Sequence, residues 1–470
     1  MFVAASQTGA AQAGTEAMDG AFFSDLLASI AERGRSVLKL SPWPRDVEDR
    51  AASLIAMCRA LITGRGEASG VALGSEILSR YRSLAASDKA AVFRAWADDF
   101  GPDPKRVEDA IARWSATRGE TAASALHYAT EPRRQELFRR LNRVPGGTRA
   151  LVMMRAELIE AMREDRSLAE VDRDFEHLFA SWFNRGFLVL RRIDWSSPAA
   201  ILEKIIRYEA VHEIRGWDDL RRRIDAPDRR CYAFFHPALV DEPLIFVEVA
   251  LTRTPPDAIA PLLAERRAEM NEDKATVATF YSISNCQQGL AGVTFGNFLI
   301  KQVVEELRRD LPKVETFMTL SPVPGFRRWL ETSEDTLVEP LLAQARELLA
   351  DEDWPNDPEK TQRVKKALEP VAAYYFLKSR RPDGKVVDPV ARFHLGNGAR
   401  LERLDWMGDM SPKGLGESCG LMVNYLYDLN EIEKNHESFA NAGTIAASSA
   451  VKKLLPKART VAPALPAPQA

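Results

Sequence analysis

Cysteine and histidine are scarce in this chain, with four and six respectively among 470 residues. Cys58, Cys231, Cys286 and Cys419 lie far apart and form no CxxC pair. That spacing speaks against a disulfide framework or a structural zinc site and favours reduced, buried thiols. No His/Asp/Glu cluster has metal-ligand spacing either, so no metal is expected. An excess of one charge is also lacking: 64 basic residues face 67 acidic ones, for a net charge of −3. The balance gives no general electrostatic reason to bind nucleic acid or an anionic membrane. No uncharged run approaches the length of a membrane span. The first residues, MFVAASQTGAAQAGTEAMDG, have no basic segment, no sustained apolar stretch and no arginine. Neither a secretory signal nor a basic transit peptide is expected from them. The last, VAPALPAPQA, read as a disordered tail without a peroxisomal ending. The cytoplasm is the expected location.

What is present is ordinary in bulk and organised in sequence. Hydrophobic residues make up 46% and charged residues 28%, as in soluble globular proteins, and the length predicts two or three domains. After residues 1–20, expected to be disordered, the pattern from 21 to 185 is helical. AFFSDLLASIAERG, RDVEDRAASLIAMCRALITG and SEILSRYRSLAASDKAAVFRAWADDF place apolar residues three and four apart. Pro102-Asp103-Pro104 and Gly146-Gly147-Thr148 mark two helix starts. Leu151, Met154, Leu158 and Met162 share one face, which predicts packing between helices. No fixed repeat is visible, so an irregular bundle is expected and not a solenoid.

From Gly186 the texture changes. GFLVLRRI, RCYAFFHPAL, PLIFVEVALT and ATVATFYSIS are short β-branched and aromatic runs bounded by Pro, Asp and Gly, as strands are. PLIFVEVALT is apolar on both alternations until Glu248, which suits an inner strand. SSPAAILEKIIRYEAVHEI and PPDAIAPLLAERRAEM read as helices between them. The expected second domain is mixed α/β over 186–455, with a helical insertion at 333–379 and a disordered tail at 456–470.

Residues 275–330 carry the clearest functional signal. They read as strand, glycine-bearing turn, amphipathic helix, second strand and an abrupt Ser321-Pro322-Val323-Pro324-Gly325 turn. A helix N-terminus offers unpaired N–H groups and the positive end of its dipole to an anion. Gly289, Gly292 and Gly296 let the backbone approach a phosphate closely. Neither the Walker lysine motif nor the Rossmann glycine spacing fits. The order resembles the acetyltransferase-like (GNAT) fold, whose strand–turn–helix holds a coenzyme A pyrophosphate.

Five blocks extend the likeness: HPALVDEPLIFVEVALT (236–252), FYSISNCQQGLAGVTFGNFLIKQVVEEL (280–307), LSPVPGFRRWL (320–330), FHLGNGARLERLDWMGD (393–409) and SCGLMVNYLYDL (418–429). Together, and in order, they resemble the malonyl-CoA decarboxylase family, whose N-terminal helical domain the first half also resembles. The resemblance implies conversion of malonyl-CoA to acetyl-CoA and CO2 without a cofactor, by an oligomer assembled through the helical domain. It implies that Ser321 acts at the malonyl carboxylate and that His394 protonates the enolate carbon. By the same resemblance Ala291, Gly292, Val293, Thr294, Phe295, Gly296 and Asn297 hold the pyrophosphate, and Tyr427 lies close to the substrate. Eukaryotic members carry a glutamate in place of Thr294, so any role of that carboxylate does not transfer.

From the residues alone, Ser321 reads as a turn-opening serine and His394 as a structural histidine before an Asn397-Gly398 turn. His236, Lys301, Arg327, Arg328, Asp409 and Glu417 also lie within or beside these blocks, with structural readings to match. Two other functions remain as alternatives. An acyl-CoA-dependent N-acyltransferase needs an acceptor amine site and a base on the strand before the turn, where Tyr281, Ser282 and Ser284 offer no strong one. The other is a non-enzymatic acyl-CoA-binding regulator, against which the intact Ser321 and His394 speak.

Overall fold

A computed structural model describes residues 49–456 apart from 65 and 294–298. The helix expected in AFFSDLLASIAERG, the two chain ends and Thr294–Asn297 of the turn lie outside the described residues. The chain forms two compact units. One comprises residues up to 189 with 234–244 and 285–296; the other comprises 190–233, 245–284 and the residues from 297 onward. The boundary is therefore not a single cut, and the glycine-bearing turn clusters with the helices.

The first unit is helical, as its periodicity predicts. Helix Pro104–Thr117 starts where Asp103 accepts the Arg106 N–H, with proline as its first residue. The apolar pattern of SEILSRYRSLAASDKAAVFRAWADDF is cut into Glu67–Arg82 and Ala86–Asp99. At the break the Ser83 hydroxyl takes the Arg80 carbonyl, 2.8 Å away, and competes with helix continuation. Leu151, Met154 and Leu158 of helix Gly147–Ala161 are buried, as expected of packing residues. An aromatic core holds the bundle: Phe138 stacks on Phe175 at 4.1 Å, and Trp96 meets Phe138 edge-on at 5.3 Å.

A mixed sheet lies mainly in the second unit. Its strands are β1 (Val189–Ile193), β2 (Arg229–Phe235), β3 (Pro243–Thr252), β4 (Val277–Asn285), β5 (Thr316–Thr319), β6 (Ser321–Pro322), β7 (Arg400–Asp405) and β8 (Met422–Leu426). The order is β1-β2-β3-β4-β5-β8-β6, with β7 also paired to β8. β3 is an inner strand buried along almost its whole length. On it, Glu248 is fully enclosed and pushed up to about 8, first by burial and then by the nearby Glu209 carboxylate.

β4 and β5 are parallel, and helix Leu299–Asp310 lies between them in sequence. β8 runs antiparallel to β5, β6 and β7. The fold class is thus the expected one, a helical region followed by a mixed α/β domain.

Two helical expectations shrink. SSPAAILEKIIRYEAVHEI is helical only over Ala199–Tyr208, because the Glu209 carboxylate turns the chain by accepting the N–H groups of Val211 and His212. PPDAIAPLLAERRAEM yields only Ala260–Leu263. Beyond it Asp228 fixes the chain, pairing with both terminal nitrogens of Arg267 and accepting the Met270 N–H. Between 333 and 379 stand helices Glu339–Leu349 and Pro358–Leu377.

Candidate active site

The short strand β6 follows β5 after one residue, Leu320, and alternation along the extended chain puts Thr319 and Ser321 on one side. The Ser321 hydroxyl donates to Thr319 Oγ1 at 2.8 Å. That threonine oxygen also accepts the Tyr425 N–H from β8, and the Thr319 carbonyl accepts the Asn424 side-chain amide at 2.8 Å. Pairing of Ser321 with Val423 then fixes the serine in register.

His394 arrives from helix Pro389–Gly396, which begins at Asp388. One oxygen of Asp388 caps the helix at the Ala391 N–H (2.7 Å), and the other accepts the Tyr375 hydroxyl (3.2 Å). The imidazole lies flat on Tyr425, ring centres 4.6 Å apart. Its Nε2 is 3.1 Å from Ser321 Oγ and its Nδ1 is 2.7 Å from the Tyr427 hydroxyl. Ser321, His394 and Tyr427 are 5%, 2% and 2% exposed, so the row of three is closed on most sides.

The partners determine the proton order. Ser321 gives its only hydrogen to Thr319, so it accepts from His394 Nε2–H. Nδ1 then carries no hydrogen and accepts from Tyr427. Burial drives the imidazole down to about 3, which keeps it neutral, and pushes the Tyr427 phenol well above its ordinary value, which keeps it a donor. Asp388 is pushed up to about 6, mainly by burial.

The turn after β4 belongs to the first unit. Gln288–Leu290 form a single 3-10 turn. A Cβ on Gly289 would lie 1.8 Å from the Val152 carbonyl oxygen of helix Gly147–Ala161, so only glycine allows that approach. Gly292 has φ +80°, and Val293 is buried while Ala291 is exposed.

Residues 186–464 match the malonyl-CoA decarboxylase C-terminal domain, and residues 100–183 match the N-terminal domain of the same family. The chain belongs to the malonyl-CoA decarboxylase family. It is 37% identical over 418 residues to the mitochondrial malonyl-CoA decarboxylase of Anser anser anser, covering 80% of this chain and 82% of that protein. The crystal structure of malonyl-CoA decarboxylase from Rhodopseudomonas palustris superposes with a TM-score of 0.83 at 56% identity, covering 86% of this chain and 99% of that one. The corresponding structure from Agrobacterium vitis gives 0.82 at 54% identity, with 86% and 100% covered.

Ser321, His394 and Tyr427 fall within the C-terminal domain of the malonyl-CoA decarboxylase family. Tyr427, placed beside the substrate by resemblance, is bonded to His394. Four of the other tempting residues have structural partners. His236 accepts the Ala238 N–H at Nδ1 and lies 3.0 Å from the Trp182 carbonyl through Nε2. Lys301 pairs with Glu433, Arg327 with Glu331, and Asp409 accepts the Ser411 N–H. No carboxylate hydrogen-bonds His394 among the described residues. Cys419 is buried and its thiol pushed up to about 11 by that burial, unsuited to nucleophilic work.

Thr319, Asp388 and Tyr425 had escaped sequence reasoning. Alternation could have found two of them, since Thr319 and Ser321 are two apart, as are Tyr425 and Tyr427. Glu209 had no such signal: it is 73 residues from Ser282, whose hydroxyl it accepts at 2.7 Å.

Proposed function

We propose that this chain converts malonyl-CoA to acetyl-CoA and CO2, with Ser321 positioning the malonyl carboxylate and His394 protonating the enolate carbon. The observation that carries the reading is the 3.1 Å approach of Ser321 Oγ to His394 Nε2, with both side chains buried. The turn at Ala291–Asn297 is read as the coenzyme A pyrophosphate site, supported by its position between β4 and helix Leu299–Asp310.

The chemistry consumes one proton. The bond between the carboxylate carbon and C2 breaks, its electron pair moves into the thioester enolate, and CO2 leaves. C2 then takes a proton. Charge that is concentrated on a carboxylate spreads in this transition state, so a dry pocket with fixed donors favours it. Without ligand His394 is neutral and a poor acid. The malonyl carboxylate brings a compensating negative charge and lifts the imidazole, so that substrate and proton enter together. The Tyr427 hydroxyl reverses to accept Nδ1–H, and Nε2–H is delivered to C2, which returns the ring to neutrality. Ser321 turns its hydrogen from Thr319 to the malonyl carboxylate and acts as a hydrogen-bond donor, since an unactivated hydroxyl is a poor base.

Among the described residues no helix is long and apolar enough to cross a membrane. We place the enzyme in the cytoplasm, and read it as a self-associating protein needing no metal.

Turnover in D2O tests the proton step. Acetyl-CoA should carry deuterium at the carbon vacated by CO2, and His394→Asn should lose CO2 release with malonyl-CoA still bound. CO2 release unimpaired in His394→Asn would remove the histidine from the chemistry.

A further inference from the structure

Arg155 is 1% exposed, yet nothing in the chemistry above uses it. It projects from helix Gly147–Ala161 and makes five hydrogen bonds, one for each of its N–H groups. Nε and Nη2 grip both oxygens of Asp172 at 2.7 and 3.3 Å, and Nη2 also reaches Glu176 at 2.9 Å. These two carboxylates stand four residues apart on helix Ala169–Trp182, on one face. Nη1 points the other way and donates to two turn carbonyls, Gly289 O at 3.0 Å and Ala291 O at 2.7 Å. All partners belong to the first unit.

We propose that Arg155 is a positioning residue for coenzyme A, setting the backbone of the Gly289–Gly292 turn from the helical unit. The proposal rests on the reading of Ala291–Asn297, into which this turn leads, as the pyrophosphate site. A turn that binds a phosphate through N–H groups needs its carbonyls facing away, and each peptide plane fixes the N–H that follows its carbonyl. Arg155 holds the Gly289 and Ala291 carbonyls inward, toward the bundle. The N–H groups of Leu290 and Gly292 belong to those same two planes. Leu290 N–H is used within the turn, donating to the Gln287 carbonyl, which locks the first plane from both sides. Gly292 N–H, in the second plane, is directed opposite to a carbonyl that Arg155 has fixed. The two glycines complete the fit: Gly289 lies against the Val152 carbonyl, and a Cβ on Gly292 would stand 2.5 Å from the Glu176 carboxylate.

A lysine has three donors on a flexible stem and cannot replace a planar fork serving two carboxylates and two carbonyls. The carboxylates leave Arg155 no free charge for a ligand, so it acts through the turn and not by attracting phosphate.

Steady-state kinetics with two substrates, malonyl-CoA and malonyl-pantetheine, which lacks the pyrophosphate and nucleotide, test this. R155M should raise KM for malonyl-CoA by about ten- to a hundredfold with kcat within about threefold, the scale expected when a bound group is misplaced. Its kcat/KM for malonyl-pantetheine should match wild type, and R155K should recover only part of the loss. R155M leaves two buried carboxylates without a partner, so R155M/D172N/E176Q serves if the single variant does not fold, with the same split expected. Equal losses on both substrates, or none on either, overturn the proposal. A wild-type preference for malonyl-CoA that survives in R155M sinks Arg155 alone. A wild-type enzyme indifferent to the nucleotide half sinks the turn's ligand, and this proposal with it.

Discussion

His394 Nδ1 stands 2.7 Å from the Tyr427 hydroxyl, with both side chains buried, so the tyrosine supports from Nδ1 the tautomer whose Nε2–H faces Ser321. Tyr427→Phe keeps the ring and its packing but leaves Nδ1 unpaired. We expect kcat to fall by roughly 10- to 100-fold, the worth of one buried hydrogen bond, with KM for malonyl-CoA little changed. Steady-state kinetics decide it; an unaltered kcat means that something other than Tyr427 sets the tautomer.

In the proposed reaction Ser321 holds the malonyl carboxylate and His394 protonates the carbon that the carboxylate leaves. Ser321→Ala and His394→Asn should each lower kcat by about 10²- to 10⁴-fold. The double variant should be little slower than the worse single one, because residues acting as a unit do not add. A double loss equal to the product of the two single losses would show that they act independently.

Acid stability should carry the signature of His394. Its folded pKa is about 3 against an ordinary 6.5, so between those values the unfolded chain holds a proton that the folded one does not. Stability from this group is therefore complete above about pH 6.5 and lost on acidification, by up to about 1.4 kcal/mol per pH unit. Asp388, pushed up to about 6, works in the opposite direction, since the folded chain then holds the extra proton. Comparing urea unfolding of wild type and His394→Asn from pH 7 to pH 4 cancels Asp388 and isolates the histidine. The stability difference should shift toward the variant as pH falls; a constant difference would mean that His394 is not held neutral by burial.

The close approach at Gly289 gives a backbone test. Gly289→Ala puts a methyl 1.8 Å from the Val152 carbonyl oxygen, where only the backbone can yield. It should cost about 2 kcal/mol or more in urea unfolding. Gly416→Ala, in a helix with nothing within 4 Å of the new Cβ, should be neutral or slightly stabilising. Equal effects at both sites would contradict the packing described.

Much of this was legible locally. Periodicity marks the bundle, and continuous apolarity marks β3 as an inner strand. Ser321 and His394 were found through the blocks around them, and the fold places them in contact across 73 residues. What escaped was decided by non-local partners. Asp228 holds straight a segment that its pattern makes helical, through Arg267. Glu209 ends a helix by turning back to its own backbone and then receives hydroxyls from β4. Arg155 reaches carbonyls more than a hundred residues away, for which no local pattern exists. Burial has no local signature either: the surroundings that drive His394 down to about 3 are assembled from Ser321, Tyr425 and Tyr427.

The most direct measurement incubates the purified full chain with malonyl-CoA, without amine acceptor or added metal, and follows CO2 and acetyl-CoA together. The account predicts equal yields of both, abolished in the Ser321→Ala/His394→Asn double variant. Product formed only when an amine acceptor is supplied, or malonyl-CoA bound and left intact, would contradict it.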